Sequence, residues 1–158
     1  RMQMRVAIGA DHAGYELKEK LKKFLKQEGH EVTDVGAHKH IPGDDYPYYA
    51  VAAAEMVANG EADRGVLICD SGIGVDIVAN KMPGVRSALV HDEELARLTR
   101  RHNNTNVLSL GAMFMDEAKA ARITKNWLDT DFSHEERHER RIREIAELER
   151  METHHADI

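Results

Sequence analysis

A chain of 158 residues, 42% apolar and 32% charged, has the makings of a folded core in a polar shell, and its length sets one domain as the default. The formal net charge of −6 opposes the phosphate neutralisation that nucleic-acid binding needs, and no apolar run approaches the ~18 residues of a membrane span. One cysteine excludes an intrachain disulfide and suits a reducing, cytoplasmic compartment.

Arg5–Ala10 is a short apolar run closing on small residues, which predicts a buried strand. Tyr15–Gln27 carries Leu17, Leu21, Phe24 and Leu25 at helical spacing, with lysines assigned to the other face. Glu31–Gly36 reads as a second strand. Tyr46–Asn59 is alanine-rich and helical, opened by Asp44-Asp45 and closed by Asn59-Gly60. Gly65–Cys69 predicts a third strand, Gly74–Lys81 a helix and Val85–Val90 a fourth strand. Asp92–His102 predicts a helix, Asn106–Gly111 a fifth strand and Asp116–Leu128 a further helix. A long charged helix is expected over about 133–152, with Ser133 and Glu136 spaced as a capping box. Strand and helix alternate five times, which predicts a doubly wound, Rossmann-like α/β fold: a five-stranded parallel sheet with helices on both faces. Ligands of such sheets bind at the carboxyl ends of the strands. Those ends read Asp11-His12-Ala13-Gly14, Cys69-Asp70-Ser71-Gly72-Ile73-Gly74, His91-Asp92 and Gly111-Ala112-Met113.

The loop after Cys69 is the richest in chemistry. Gly72 and Gly74 open a helix, so their backbone N–H groups can face an anion or a developing oxyanion, and Ser71 adds a hydroxyl. A thiolate is favoured near a helix N-terminus. A free cysteine ending a buried strand is as readily structural as catalytic. A dinucleotide site is a weaker reading of this loop. Gly72-x-Gly74 supplies two of the three fingerprint glycines, but Ile77 takes the third place and the loop does not follow the first strand; Asp92 would be the ribose contact. No P-loop motif occurs.

His134-Glu135-Glu136-Arg137-His138 matches the H-E-x-x-H zinc pattern in the wrong context, at the start of a highly charged helix. On that helix Glu136 can pair with Arg140 and Glu139 with Arg143, four residues apart. Arg137 and Arg141 are also four apart, with no acid at that spacing, which suits an anion between them; a solvated charged face is the plainer alternative. His12 follows a strand. His102 closes a helix, where the dipole favours a cation. Either could transfer protons near neutral pH.

Together these motifs resemble the type B ribose-5-phosphate isomerases, which are grouped with the bacterial galactose-6-phosphate isomerase subunits. The resemblance runs from about Arg5 to Leu148. It rests on Gly9-Ala10-Asp11-His12-Ala13-Gly14, Asp45-Tyr46-Pro47, Cys69 with Ser71-Gly72-Ile73-Gly74, Ala79-Asn80-Lys81 and Pro83-Gly84-Val85-Arg86. It continues through Arg101-His102-Asn103-Asn104-Thr105-Asn106 and Arg137-His138-x-x-Arg141. The resemblance implies aldose–ketose isomerisation through a cis-enediolate, with no metal and no cofactor. It gives Cys69 the part of general base; the branch that uses a glutamate instead has it where Val75 stands here. It gives Ser71 the oxygen proton, His102 ring opening, and the backbone of Gly72, Ile73 and Gly74 with Asn103 the enediolate oxygen. Asp11, His12 and Tyr46 would hold sugar hydroxyls and the ring oxygen, and Arg137 and Arg141 the phosphate. It implies a homodimer whose partner chain completes each site. Two positions depart from the pattern. Met113 stands where a further phosphate-binding arginine is usual, and Asp70 stands where glycine is usual. Asp70 opposes a thiolate at Cys69 by like-charge repulsion, or binds a substrate hydroxyl. Ribose 5-phosphate is the expected substrate. A tetrose or hexose phosphate or a free sugar is the alternative, and a non-catalytic sugar-phosphate or nucleotide binder is the reading from another class. Asp76 receives no role.

Overall fold

The computed structural model describes residues 2–156. In chain order it contains β1 (Arg5–Ala10), α1 (Tyr15–Gln27), β2 (Glu31–Gly36), α2 (Tyr46–Ala58), β3 (Arg64–Cys69), α3 (Ile73–Ala79) and β4 (Ser87–Leu89). Then follow α4 (Glu93–Asn103), β5 (Val107–Gly111), a 3-10 turn at Ala112–Phe114, α5 (Glu117–Asp129) and α6 (Glu136–Ala156). Every strand pair is parallel, and the order across the sheet is β2-β1-β3-β5-β4. The chain winds outward from β1 to β2 and then back past β1 to β3, which puts a topological switch point between β1 and β3. The doubly wound expectation holds.

Alternate strand residues face opposite sides of a sheet, and both faces here are apolar. Val6, Ile8 and Ala10 of β1, Val66 and Ile68 of β3, and Leu108 and Leu110 of β5 pack with Leu17, Leu21 and Leu25 of α1 and Ile123 and Trp127 of α5. Ala7, Leu67, Cys69 and Val107 face the other way, onto Ala50, Ala53, Ala54 and Val57 of α2 and Val75 and Ala79 of α3. Cys69 is therefore the last residue of the second layer, at the carboxyl edge of a central strand.

Five expectations need correction. The fourth strand shrinks to Ser87–Leu89, because Arg86 spends its N–H on the Asn106 side chain and its carbonyl on the N–H groups of Asn106 and Val107. The third helix begins at Ile73 and ends at Ala79, where the N–H groups of Lys81 and Met82 turn back to Val78 and Ala79. The last helix begins at Glu136, not Ser133. His134 adopts φ 59°, and the Glu135 carbonyl receives the N–H groups of His138 and Glu139, so the Ser133–Glu136 capping box does not form. Glu136 pairs with Arg140 as expected, at 2.7 Å, but Arg143 reaches Glu136 at 3.7 Å and Glu139 meets His134 at 3.2 Å.

Lys18 is the fifth correction. It does not lie on a solvated lysine face; its side chain is 0% exposed. Its Nζ reaches Asp34 of β2 at 2.7 Å and Glu19 at 2.9 Å, while Lys22 reaches Asp34 at 2.8 Å. Burial alone would push the Asp34 carboxyl up, but its hydrogen bonds from Lys18, Lys22 and the Gly36 N–H outweigh that and hold it below the usual range. Asp34→Asn should cost about 3 kcal/mol at neutral pH, because it strips a buried cation of its main partner. A depressed carboxyl contributes stability above its unfolded value of about 3.9 and loses it as the pH falls through the folded value. Urea midpoints of parent and variant should thus differ widely at pH 7 and converge below about pH 4.

Candidate active site

The crevice at the switch point is built from two loops. The first leaves β1 at Asp11. Asp11 is 5% exposed, and its Oδ1 accepts the N–H groups of Ala13 and Gly14 at 3.1 and 3.2 Å, which folds the turn into α1. Burial pushes its carboxyl above the usual range, opposed by those hydrogen bonds. His12 sits half-buried on the rim, with its N–H and its ring Nδ1 each 2.8 Å from Asp44 Oδ1. Asp44 is thus used on His12, and Asp45 precedes α2 with no side-chain cap bond. Asp11, His12 and Asp44 bring one ligand atom each within 4.8 Å of the others, a spacing that a cation could share; Asp44 Oδ1 is already bonded to His12.

The second loop leaves β3. Cys69 is 5% exposed and pairs in register with Gly111 of β5. Gly72 turns the chain at φ 81°, a left-handed angle that glycine accepts without steric cost. A Cβ there would also meet the Leu110 carbonyl carbon at 2.8 Å. The Ile73 N–H lies 3.3 Å from Ser71 Oγ. Tyr46, from the start of α2, lies directly on Gly74: a Cβ at Gly74 would come within 2.5 Å of its ring. Asp70 is exposed, and its carbonyl accepts the Met113 N–H at 3.0 Å, so these two departures from the family pattern are neighbours. Met113 is 60% exposed. Asp76 now has a structural role. It accepts the Ser87 hydroxyl at 2.6 Å, Ser87 meets Ser109 at 2.9 Å, and together they tie α3 to β4 and β5.

The remaining site residues lie elsewhere in the chain. A helix that follows a parallel strand returns to the amino edge of the sheet, and α4 does so. The Asn103 carbonyl accepts Arg86 Nε at 3.0 Å just before β4 begins, and the Asn106 carbonyl accepts the Gly65 N–H at the start of β3. His102 and Asn103 therefore stand at the end of the sheet opposite Cys69, separated by the run of β3, roughly 17 Å at 3.3 Å per residue. Arg137 and Arg141 belong with them, on the first turns of α6. His138 between them is 6% exposed and stacks on His102, with ring centroids 4.5 Å apart. Burial and the neighbouring Arg137 and His102 charges push the His138 imidazole down. Arg137 also has an acid that the spacing rule missed: Glu135, two residues back, at 3.4 Å. One chain thus brings together Asp11, His12, Tyr46 and Cys69–Gly74 at one end, and His102, Asn103, Arg137 and Arg141 at the other.

The two weaker motif readings do not fit this geometry. Asp92 caps α4, accepting the Leu95 N–H at 2.7 Å, and is not held for a ribose. His134 lies outside the helix that carries His138, so the two imidazoles do not share the helical face that the zinc pattern requires.

Comparison with known proteins agrees with the motifs. The Ribose/Galactose Isomerase family model matches residues 6–145. Ribose-5-phosphate isomerase B of Mycobacterium tuberculosis is 43% identical over 153 residues, covering 97% of this chain and 93% of that protein. A putative sugar phosphate isomerase of Bacillus subtilis is 42% identical over 146 residues, covering 92% and 97%. Among solved structures, ribose-5-phosphate isomerase B of Clostridium thermocellum superposes with a TM-score of 0.91 at 41% identity, covering 94% of this chain and 99% of that one. The Mycoplasma genitalium enzyme, solved with bound ribulose-5-phosphate, gives 0.90 at 38% identity over 95% and 99%. With motifs, sheet order and near-complete coverage in agreement, the chain belongs to the ribose/galactose isomerase family.

Proposed function

We propose that the chain is an aldose–ketose isomerase that interconverts ribose 5-phosphate and ribulose 5-phosphate. The observation that carries the reading is the Cys69–Gly74 loop, a thiol, a hydroxyl and glycine N–H groups at the carboxyl edge of β3 beside the switch point. Its relatives include an enzyme solved with ribulose-5-phosphate. In this mechanism Cys69 takes the proton from C2 of the open-chain aldose, and the electrons of that bond form the C1–C2 double bond of an enediolate. The backbone N–H groups of Gly72, Ile73 and Gly74 with Asn103 hold the developing oxyanion, which is where preorganised donors lower a barrier most. Ser71 carries the proton between the two oxygens, and Cys69 returns its proton to C1. His102 opens the sugar ring. Asp11, His12 and Tyr46 hold its hydroxyls and ring oxygen, Asp70 a further hydroxyl, and Arg137 and Arg141 the phosphate. No step calls on a metal or cofactor.

These roles require both halves of the site in one place, so the working unit is a homodimer in which each crevice is completed by the partner chain. Exposed apolar side chains support that assembly: Ile73 and Ile77 on α3, and Ile145, Leu148 and Met151 on α6. A groove of about 420 Å³ between α6 and the β4 region, lined in part by Val85, Ala88, Ile145 and Leu148, offers them a seat. No helix among the described residues is long and apolar enough to cross a membrane. A dependence on a free thiol fits the cytoplasm.

A second reading concerns the substrate. Met113, whose N–H is bonded to the Asp70 carbonyl, puts an apolar side chain where the resemblance expects a cationic phosphate contact, which favours another sugar phosphate or a free sugar. One charge-assisted hydrogen bond is worth about 1.5–3 kcal/mol, so affinity for a pentose phosphate should fall by one to two orders of magnitude. NMR in deuterated solvent decides, with ribose 5-phosphate, erythrose 4-phosphate, allose 6-phosphate and their unphosphorylated sugars. Ketose formation with deuterium uptake from ribose 5-phosphate is the expected result. Exchange only with another sugar transfers the activity to that substrate, and ligand saturation without C–H exchange means a binding module.

A further inference from the structure

The loop between β2 and α2 carries Asp44 across the carboxyl edge of the sheet to His12, 32 residues away in sequence. A turn closed by the Asp44 N–H on the Ile41 carbonyl, with Gly43 at φ 77°, delivers it. Its Oδ1 receives the His12 N–H and sits 2.8 Å from His12 Nδ1, and its Oδ2 accepts the Tyr49 hydroxyl at 2.9 Å. The Asp44 side chain is only 9% exposed, whereas the His12 side chain is 36% exposed. An ionised carboxylate is an acceptor only. His12 Nδ1 must therefore carry the proton, and Nε2 is the ring nitrogen left for a ligand.

We propose that Asp44, seated by Tyr49, is a positioning residue: it holds the Nδ1–H of His12 and so presents Nε2 to a substrate oxygen. The idea rests on the reading of His12 as a substrate contact. The groups facing His12 are Asp11 from the end of β1, Asp44 from its loop and the His40 ring, edge-on at 6.2 Å, with Tyr15 of α1 beyond it; Tyr49 of α2 stands on the other oxygen of Asp44. The hydrogen bond to Asp44 raises the His12 imidazole above its ordinary value, with Asp11 adding to it. Burial would push the Asp44 carboxyl up, but its bonds from His12 and Tyr49 hold it down. This favours the doubly protonated ring, whose Nε2–H faces away from Asp44.

The test uses the full chain and the variants Asp44→Asn and Tyr49→Phe. Imidazole ¹⁵N–¹H correlations followed with pH, without substrate, should show an Nδ1–H ring in the parent. Asp44→Asn should move its titration to lower pH and release the tautomer. Turnover should show KM raised about tenfold near neutral pH, the size of one lost charge-assisted bond, with kcat changed much less. Tyr49→Phe should move both readouts the same way by less. An unchanged His12 titration and tautomer in Asp44→Asn overturns the proposal, as does an unchanged KM. A parent silent towards every sugar phosphate overturns the isomerase reading and the claim on substrate; the imidazole spectra, taken without substrate, keep that failure distinct from failure of the Asp44–His12 pair.

Discussion

Replacing Cys69 with alanine is expected to lower kcat by about 10²–10⁴-fold, the usual worth of a general base, while the fold survives. The substitution keeps Cβ and the β3–β5 pairing of position 69 with Gly111. It removes one sulfur from a layer otherwise held by Ala7, Leu67, Val75 and Val107. That is a small cavity at the edge of the core, costing about 1 kcal/mol. A thermal melt a few degrees below the parent's, with turnover lost, would separate chemistry from stability. KM should stay within a few-fold, because the proposed thiol acts on a C–H bond and holds no polar group of the substrate. Full activity in Cys69→Ala would sink this mechanism. The neighbouring carboxylate of Asp70, exposed on the same loop, would then be the better base, and Asp70→Asn would test it.

The sheet was legible because its signals are local. Apolar runs ending in glycine or polar residues mark β1, β3 and β5, and 3.6-residue spacing marks α1 and α5. The strand order was not legible: β5 enters between β3 and β4 through pairings that only long-range packing decides. Lys18 shows the same limit. Its helical position reads as solvated, yet Asp34 on the neighbouring strand draws it under the surface, where its aliphatic stem packs as well as any apolar chain. The Cys69–Gly74 loop could be read because six consecutive residues carry it. Asp44 could not, since its partner His12 lies 32 positions away. The separation of His102 from Cys69 did carry a signal. A helix between parallel strands must end at the amino edge, so a residue closing α4 belongs to the opposite end from one closing β3.

That separation yields a prediction with a distinctive arithmetic. Cys69→Ala and His102→Ala should each be nearly inactive alone, yet mixing them under conditions that exchange subunits should restore activity. In a two-fold dimer each crevice would draw its Cys69 half from one chain and its His102 half from the other. A mixed dimer then has one crevice with both defects and one with neither. Random exchange makes about half of the dimers mixed, so about a quarter of all crevices regain both groups and activity should return to about a quarter of the parent level. The recovered KM should equal the parent's, because the rebuilt crevice is unaltered. The outcome discriminates sharply. A site built within one chain gives two dead sites however the chains are mixed, and activity stays at the background of the single variants. Pairing Cys69→Ala with Ser71→Ala supplies the control, since both positions lie on the same loop and no exchange can reunite them in one intact crevice. Recovery with His102→Ala and none with Ser71→Ala would place the catalytic unit across two chains, and would explain why a single chain holds His102, Asn103, Arg137 and Arg141 at the end of the sheet opposite its own thiol.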